Sequence, residues 1–549
     1  MNKIKVAHLL SIIFTVTLFS SCANKSTDID SSDASSESTS TISEDTTSES
    51  DTQETVDLLN YELLENGTYG VSAKMDGNPI INVVIPSTYN EIPVTAIVKQ
   101  GFKECSELTS ITIPDSITSI GYMAFTQCTS LESIIIPDSV VDIGEYAFYI
   151  CSSLRSVTLS KSITKLPNAS FGACSSLTSI ELPNNIEAIE SGAFQSCSSL
   201  ESINIPNSVI NFGGAAFANC SSLKSIQIPK TMTVIENSTF LNCSSLQSID
   251  IPKGITLIKQ DAFSGCSSIE SISLPDGVRS IGNSAFSFCT SLKEISLQKN
   301  ITFIGEGAFY ECTSLTNVVI PNTVTSIGDY AFTNCSSLTS IFIPQSVASI
   351  GYHVFEECNN KLYIYCGSPS KPSEWDDDWN YQRTSIYHSV VWGAIGGCEM
   401  YGDFEYIKTV SGISIVSYSG NEKNVVIPNT INDLPVTAIA DKAFEDVNTM
   451  ATLVIPTTVT SIGYRSFIGC SALTSISTLP NLVSIGREAF YGCLSLKTII
   501  IPISVTTIGK FAFRFCSSLS IKCEASSRPD GWDEYWSNGA REVIWGYKE

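Results

Sequence analysis

A cysteine recurs at every twenty-third position through most of this chain. Twelve cysteines follow this interval from Cys105 to Cys358, and a Phe stands three residues before each of them. The interval returns in a shorter series that ends at Cys516, with Val447 standing where its first cysteine would fall. A fixed period of this length is typical of a solenoid, in which each coil buries its apolar side only against its neighbours.

One repeat, residues 174–194, shows how a coil is built. It reads CSSLTSIELPNNIEAIESGAF. Ile180 and Leu182 alternate as on one face of a short strand, and Pro183 ends that strand because proline cannot donate to a ladder. Apolar residues of the returning half face the same interior, and in most repeats a Gly follows the second Ile, where we expect the chain to turn. We therefore predict one strand and one irregular return segment per coil, giving one parallel β-sheet per array.

The repeat plan occurs twice. Residues 82–97 read NVVIPSTYNEIPVTAI, and residues 424–439 read NVVIPNTINDLPVTAI. Each series also ends on the pattern W-D-x-x-W followed by V-[VI]-W-G, and all six tryptophans lie in these two ends. Terminal coils need a distinct outer face because no further coil covers them. We therefore predict a first capped array over residues 57–393, a junction over 394–403 and a second, shorter capped array over 404–549.

The start of the chain has the features of an export signal. Lysines precede a mostly apolar run over residues 6–19, which is too short to span a bilayer as a permanent helix. Small residues stand directly before Cys22, and this resembles the lipobox of bacterial lipoproteins, with Phe19 where Leu is usual. The resemblance implies a lipoprotein signal peptide over residues 1–21 and a lipidated Cys22 that tethers the protein to a membrane. The alternative is an ordinary signal peptide cleaved nearby.

Residues 22–56 form a separate segment of unusual composition. They contain nine acidic residues, one lysine and no aromatic residue. Such a segment cannot bury enough apolar surface to offset the entropy of ordering it, and its like charges repel one another. We predict a disordered, acidic Ser/Thr-rich linker that holds the repeats away from the anchor.

The repeat itself resembles a known family. Residues 128–148 match C-x-x-L-x-x-I-x-I-P-x-x-V-x-x-I-G-x-x-A-F, which is similar to the BspA-like leucine-rich repeats of the Treponema pallidum type. The resemblance implies a leucine-rich-repeat solenoid. Bacterial members of this family are mostly secreted or surface-attached, and some are implicated in adhesion to host matrix proteins and to other bacteria. It therefore implies an exported protein, lipid-anchored at the bacterial cell surface, whose partner is an extracellular protein or glycan.

Composition argues against two other classes of function. The formal net charge is −24, whereas nucleic-acid binding needs a basic face. Beyond the leader the chain has two histidines, His353 and His388, and neither has a recognisable nucleophile beside it. No glycine-rich phosphate loop or zinc-protease motif occurs. We expect a non-enzymatic protein with no cofactor, no metal site and no nucleic-acid partner.

The cysteine series is predicted to be structural. Equivalent residues of adjacent coils lie ~4.8 Å apart with parallel side chains. A disulfide needs Cβ atoms about 3.5–4.5 Å apart and a near-perpendicular dihedral angle, so pairing along the series would distort the coils. Because cysteine also buries readily as a small apolar residue, we predict a buried, reduced cysteine ladder.

The outward side of the strands is the remaining candidate surface. Side chains there vary from coil to coil, from Thr112 to Glu181, whereas the inward positions hardly change. Such variation is expected of a recognition face, and equally of drift on a solvated one. Val319 and Phe342 are apolar neighbours in this column, and we predict that they contact a ligand. The alternatives are a structural surface spacer without a dedicated ligand, and a polysaccharide-binding protein that uses the cap tryptophans, which would require exposed Trp faces.

Overall fold

The computed structural model describes residues 58–381 and 388–548. The predicted signal peptide, the lipidation site Cys22 and the acidic linker lie outside these residues. Within them, no helix is long and apolar enough to cross a membrane. The described residues form coils of about 23 residues that are joined by parallel strand pairing, so the predicted leucine-rich-repeat solenoid is confirmed.

Each typical coil contributes two short strands, one on either side of a shared core. The first precedes the repeat's Pro, and we call the series of these strands the front ladder. The second precedes the repeat's Gly, and its series is the rear ladder. Both pair in parallel at intervals of 23 residues, as Ser133 does with Ser156 and Ser119 does with Asp142. The expectation of a single sheet per array is therefore corrected, because the return segment also forms a ladder.

The strands fall into three groups. The front ladder of the first array comprises Asn82–Val84, Ser110–Thr112, Ser133–Ile135, Ser156–Thr158, Ser202–Ile203, Ser225–Ile226, Ser271–Ser273, Glu294–Ser296, Asn317–Val318, Ser340–Ile343, Tyr363–Cys366 and Ser389–Trp392. That of the second array comprises Asn424–Val426, Thr452–Val454, Ser475–Ile476, Thr498–Ile501, Ser520–Cys523 and Glu542–Trp545. The rear ladder of the first array comprises Tyr69–Ala73, Ile92–Ile97, Ser119–Ile120, Asp142–Ile143, Lys165–Leu166, Ala188–Ile189, Asn211–Phe212, Val234–Ile235, Leu257–Ile258, Ser280–Ile281, Phe303–Ile304, Ser326–Ile327 and Ser349–Ile350. That of the second array comprises Gly412–Tyr418, Leu434–Ile439, Ser461–Ile462, Ser484–Ile485 and Thr507–Ile508. The remaining strands pair antiparallel near the start of an array, and they are Leu59–Leu63, Thr88–Tyr89, Glu399–Tyr401, Phe404–Thr409 and Thr430–Ile431.

The core repeats with the coil. In the coil that begins at Cys128, the residues that are at most 3% exposed are Cys128, Leu131, Ile134, Ile136, Val140, Ile143, Ala147 and Phe148. Consecutive Phe rings from Phe102 to Phe355 lie 5.1–6.0 Å apart with planes within 15° of each other. One apolar cluster extends from Leu59 to Trp379 and a second from Phe404 to Trp536.

The Gly that follows the rear strand marks a close approach between coils rather than a turn. A Cβ added to Gly144 would lie 2.4 Å from the backbone N of Tyr122 and 2.5 Å from the carbonyl C of Gly121. Gly144 is not among the residues with positive φ. Contrary to the sequence expectation, this Gly is required because the backbone of the preceding coil leaves no room for a side chain.

Gly144→Ala is expected to lower the free energy of unfolding by about 1–3 kcal/mol, because the added methyl forces two coils apart. Lys259 occupies the same coil position in a coil that already accommodates a Cβ, so Lys259→Ala is the matched control. It removes an exposed ion pair with Glu236 at 2.6 Å, a change worth about 0–1 kcal/mol. Urea unfolding of both variants tests this expectation, and equal losses would contradict it.

The two arrays meet through a third, smaller apolar cluster, which we call the junction cluster. From the front ladder of the first array come Tyr365 and Val391, and from the start of the second array come Ile407, Val416 and Ala440, with Ala394 between them. Hydrogen bonds surround it. The Tyr363 hydroxyl donates to the carbonyl O of Asp441 at 3.4 Å, and the Lys442 ammonium donates to that of Asn360 at 3.1 Å.

Candidate functional site

The outward side chains of the front ladder form a column along each array. In strand Ser133–Ile135, the inward Ile134 is 2% exposed and the outward Ile135 is 68% exposed. Other three-residue front strands, such as Ser156–Thr158, show the same alternation. Each coil therefore presents one central side chain to solvent, and parallel pairing fixes the distance to the next at ~4.8 Å.

The column is apolar in patches. Exposed aliphatic side chains occur at Ile135 and Val319 in the first array and at Val426 and Val454 in the second. Between the first two, the column is polar or charged, with Thr158, Glu181, Asn204, Gln227, Asp250, Ser273 and Ser296. Val426 and Val454 are direct register partners on adjacent strands. The sequence reasoning missed this pair, although aligning the second array on the first would have placed both residues in the same column.

The structure places the two predicted contact residues side by side but in different surroundings. Val319 and Phe342 form an isolated parallel bridge. Val319 is 67% exposed, whereas Phe342 is half-buried and packs against the junction cluster. The expectation that Phe342 is freely exposed is therefore wrong, because the start of the second array lies over this end of the front ladder. Val319 remains accessible, and Phe342 contributes to holding the arrays together.

Charged side chains flank the column and pair between coils. Lys224 lies 2.7 Å from Glu201, and Lys293 lies 2.8 Å from Glu270, in each case 23 residues apart. The hydrogen bond from Lys224, together with its charge, lowers the pKa of Glu201. These exposed pairs add little to stability, but they give the front face a fixed pattern of charge around its apolar patches.

The cap tryptophans pack as closing residues rather than as a stacking platform. Trp375, Trp379, Trp532 and Trp536 are each 3% exposed. The indole N–H of Trp375 donates to the Val347 carbonyl at 3.1 Å, and that of Trp532 donates to the Val505 carbonyl at 3.1 Å. Trp392 and Trp545 are half-buried and pack against the cores. The polysaccharide alternative required exposed Trp faces, and the burial of these rings contradicts it.

The cysteines of the described residues are free, and all except Cys398 are buried. From the second coil of the first series onward, each thiol donates to the carbonyl O of the Phe twenty-six residues earlier. In Cys128 this S···O distance is 3.1 Å. Burial raises the pKa of Cys197, Cys243 and Cys289 to about 12. Because the thiolate is the reactive form, these residues act as apolar fillers and hydrogen-bond donors between coils.

The two histidines have structural partners. His353 Nδ1 lies 2.9 Å from a carboxylate oxygen of Glu356. His388 Nε2 lies 2.8 Å from the carbonyl O of Phe355, and burial lowers the pKa of His388 to about 4. In the described parts of the chain, no group of three or more His, Cys, Asp or Glu side chains is arranged to hold a metal ion.

Comparison with solved structures gives bacterial leucine-rich-repeat proteins. A protein from Bacteroides ovatus is 24% identical over 88% of each chain, with a TM-score of 0.39. The leucine-rich-repeat protein of T. pallidum is 25% identical over 39% of this chain and 88% of its own, with a TM-score of 0.30. A leucine-rich cell surface protein from Faecalibacterium prausnitzii is 22% identical over 90% of this chain and 94% of its own, with a TM-score of 0.27. None of the curated proteins compared with this sequence matches it significantly.

The family comparison is more direct. The model described as "BspA type Leucine rich repeat region" matches in six copies, and its matches cover residues 95–224, 164–274, 213–338, 256–371 and 437–526. Together these matches cover more than half of the sequence, including most coils of both arrays. The chain therefore belongs to the BspA-type leucine-rich-repeat family.

Proposed function

We propose that this protein is a non-enzymatic, lipid-anchored protein of the bacterial cell surface that binds an extracellular protein or glycan through the outward face of its front ladder. The observation that carries the proposal is the contrast between the two sides of one strand series. The inward positions repeat nearly unchanged, whereas the outward positions display exposed side chains that differ from coil to coil.

A ladder is a favourable support for such a surface. Its side chains are held at fixed spacing by backbone pairing, so little conformational freedom is lost when a partner binds. Exposed aliphatic residues such as Ile135 and Val319 offer apolar contacts, and the Glu201–Lys224 and Glu270–Lys293 pairs surround them with polar groups. Apolar contact points within a polar rim are typical of protein recognition surfaces.

The location follows from the start of the chain and from the family. The lysines, the apolar run and the small residues before Cys22 support export and lipidation. The acidic segment over residues 22–56 would separate the repeats from the anchor. The family match agrees with a protein that works outside the cell.

The test is binding of the full-length protein, solubilised in detergent, to an immobilised panel of matrix proteins, mucins and bacterial polysaccharides. We expect saturable binding to at least one member. The double variant Ile135→Ser/Val319→Ser should bind at least tenfold more weakly, because it removes apolar contact from the front face.

The control uses aliphatic residues of matched exposure beside the rear ladder. Val141 and Ile210 are each 62% exposed, and each directly precedes a rear strand. Val141→Ser/Ile210→Ser should leave binding unchanged. An equal loss in both double variants would contradict front-face recognition, and no binding across the panel would favour the structural spacer.

A further inference from the structure

The last coils of the second array carry a contiguous series of aromatic and basic side chains outside the front ladder. The rings of Tyr491 and Phe515 lie 5.1 Å apart, and the Arg514 guanidinium lies 4.9 Å from the Phe515 ring. Arg514 is also 4.6 Å from the ring of Phe511. Lys510 lies 5.1 Å from the Phe511 ring and 5.2 Å from that of Tyr535. We call these six residues the aromatic–basic strip.

The strip is exposed and is held in an unusual backbone conformation. Phe515 is 49% exposed and Tyr535 is 44% exposed. The φ angle of Phe515 is 61°, which is rare for a bulky residue. The two preceding coils use Gly469 and Gly492 at this position, with φ near 75°. An exposed aromatic ring therefore occupies a position for which glycine is the less strained choice, and strained positions of this kind are concentrated at functional sites.

The strip is also the free positive charge in a basic stretch of an acidic chain. Residues 465–528 contain seven Lys and Arg against two Asp and Glu, whereas the whole chain carries a net charge of −24. Arg465 and Arg487 both pair with the buried Glu488, at 2.6 and 3.0 Å. Over residues 58–381 and 388–548, no carboxylate forms a salt bridge with Lys510 or Arg514. One carboxylate, that of Glu534, lies at the edge, where it accepts a hydrogen bond that raises the pKa of Tyr535.

The first array shows that the strip is not needed to close a solenoid. Its last coil has the same position in the fold and ends in the same Trp cap. It carries Tyr352 where the second array has Lys510, and Glu356 where the second array has Arg514. A capped end therefore forms equally well with neutral and acidic residues at these positions.

We propose that the aromatic–basic strip binds an acidic polysaccharide. Sugar carboxylates would pair with Lys510 and Arg514, and the C–H faces of the sugar rings would pack on Phe515 and Tyr535. An acidic peptide would use the two cations but would leave these rings unoccupied, so the exposed rings favour the sugar. The strip lies apart from the front ladder, and the inference does not depend on the proposed front-face function.

The experiment measures binding of polygalacturonate to the full-length protein in detergent by calorimetry. Fully methyl-esterified polygalacturonate keeps the sugar backbone without its charge, and poly-L-glutamate keeps the charge without the sugar. We expect binding of the first polymer, weakened by salt, and at least tenfold weaker binding of the other two.

The variants replace strip residues with residues that the chain already uses at the same positions. Lys510→Tyr/Arg514→Glu introduces the first array's side chains, and Phe515→Gly introduces that of the preceding coils, so both variants should fold. The first should weaken polygalacturonate binding at least tenfold and the second several-fold, while Ile135→Ser/Val319→Ser leaves it unchanged. The inference is overturned if Lys510→Tyr/Arg514→Glu binds normally, if Phe515→Gly binds normally, or if either control polymer binds as tightly as polygalacturonate.

Discussion

Phe263→Ala is expected to lower the free energy of unfolding by about 3–5 kcal/mol. The Phe263 ring is fully buried and lies 5.4 Å from the rings of both Phe240 and Phe286. Truncation removes its burial and leaves a cavity that the strand pairing on both sides prevents from closing. Thermal and urea unfolding of the variant measure the loss.

A matched substitution separates burial from the mere loss of a ring. Phe303 lies on the rear ladder of the same array and is 38% exposed, so Phe303→Ala should cost less than about 1 kcal/mol. Because coils contact only their neighbours, hydrogen exchange in the Phe263 variant should accelerate mainly in the adjoining coils and not in the second array. Equal losses in the two variants, or uniformly faster exchange, would contradict a core built coil by coil.

The core could be predicted from the sequence because the period fixes it. Once one coil is aligned, the positions of Cys, Leu, Ile and Phe identify inward-facing residues in every other coil, and the structure buries them. The front strands could be predicted for the same reason, since Pro ends each one. The rear ladder was missed because most of its strands have two residues, such as Ser119–Ile120, and two residues are too few to show alternation.

Backbone conformation was also outside what the sequence shows. Each coil contains two left-handed positions, and ordinary residues such as Met123 and Gln127 occupy them with φ angles of 56° and 64°. Glycine usually marks such positions. Here the pairing of neighbouring coils imposes the conformation, so residue type gives little signal. For this reason the sequence alone did not single out Phe515 in the aromatic–basic strip.

Contacts between the arrays lie beyond the repeat pattern altogether. The pattern places Phe342 correctly in the outward column, but it does not show that a segment about seventy residues later covers that column. Ile413 and Ile415 belong to the core of the second array, whereas Val416, on the same strand, belongs to the junction cluster. Only the assembled structure shows that this strand is apolar on both sides.

Val416→Asp should therefore separate the arrays without unfolding either of them. Val416 is fully buried, and a carboxylate there would have no compensating partner in the apolar junction cluster, a change that destabilises such a contact by several kcal/mol. We expect faster hydrogen exchange in Ser389–Trp392 and easier proteolysis between residues 393 and 412. The Phe ladders should stay protected, because each array has its own core.

The chain supplies the control for this variant. Ser72 is the first-array residue that corresponds to Val416, since Val71 pairs with Ile97 as Ile415 pairs with Ile439. Ser72→Asp should leave both arrays and their contact intact, and loss of both cores in Val416→Asp would show instead that the arrays fold as one unit. The polar residue at position 72 has a further consequence. Because the start of the first array lacks the apolar surface that covers Tyr365 and Val391, the same contact cannot join one copy of the chain to the next.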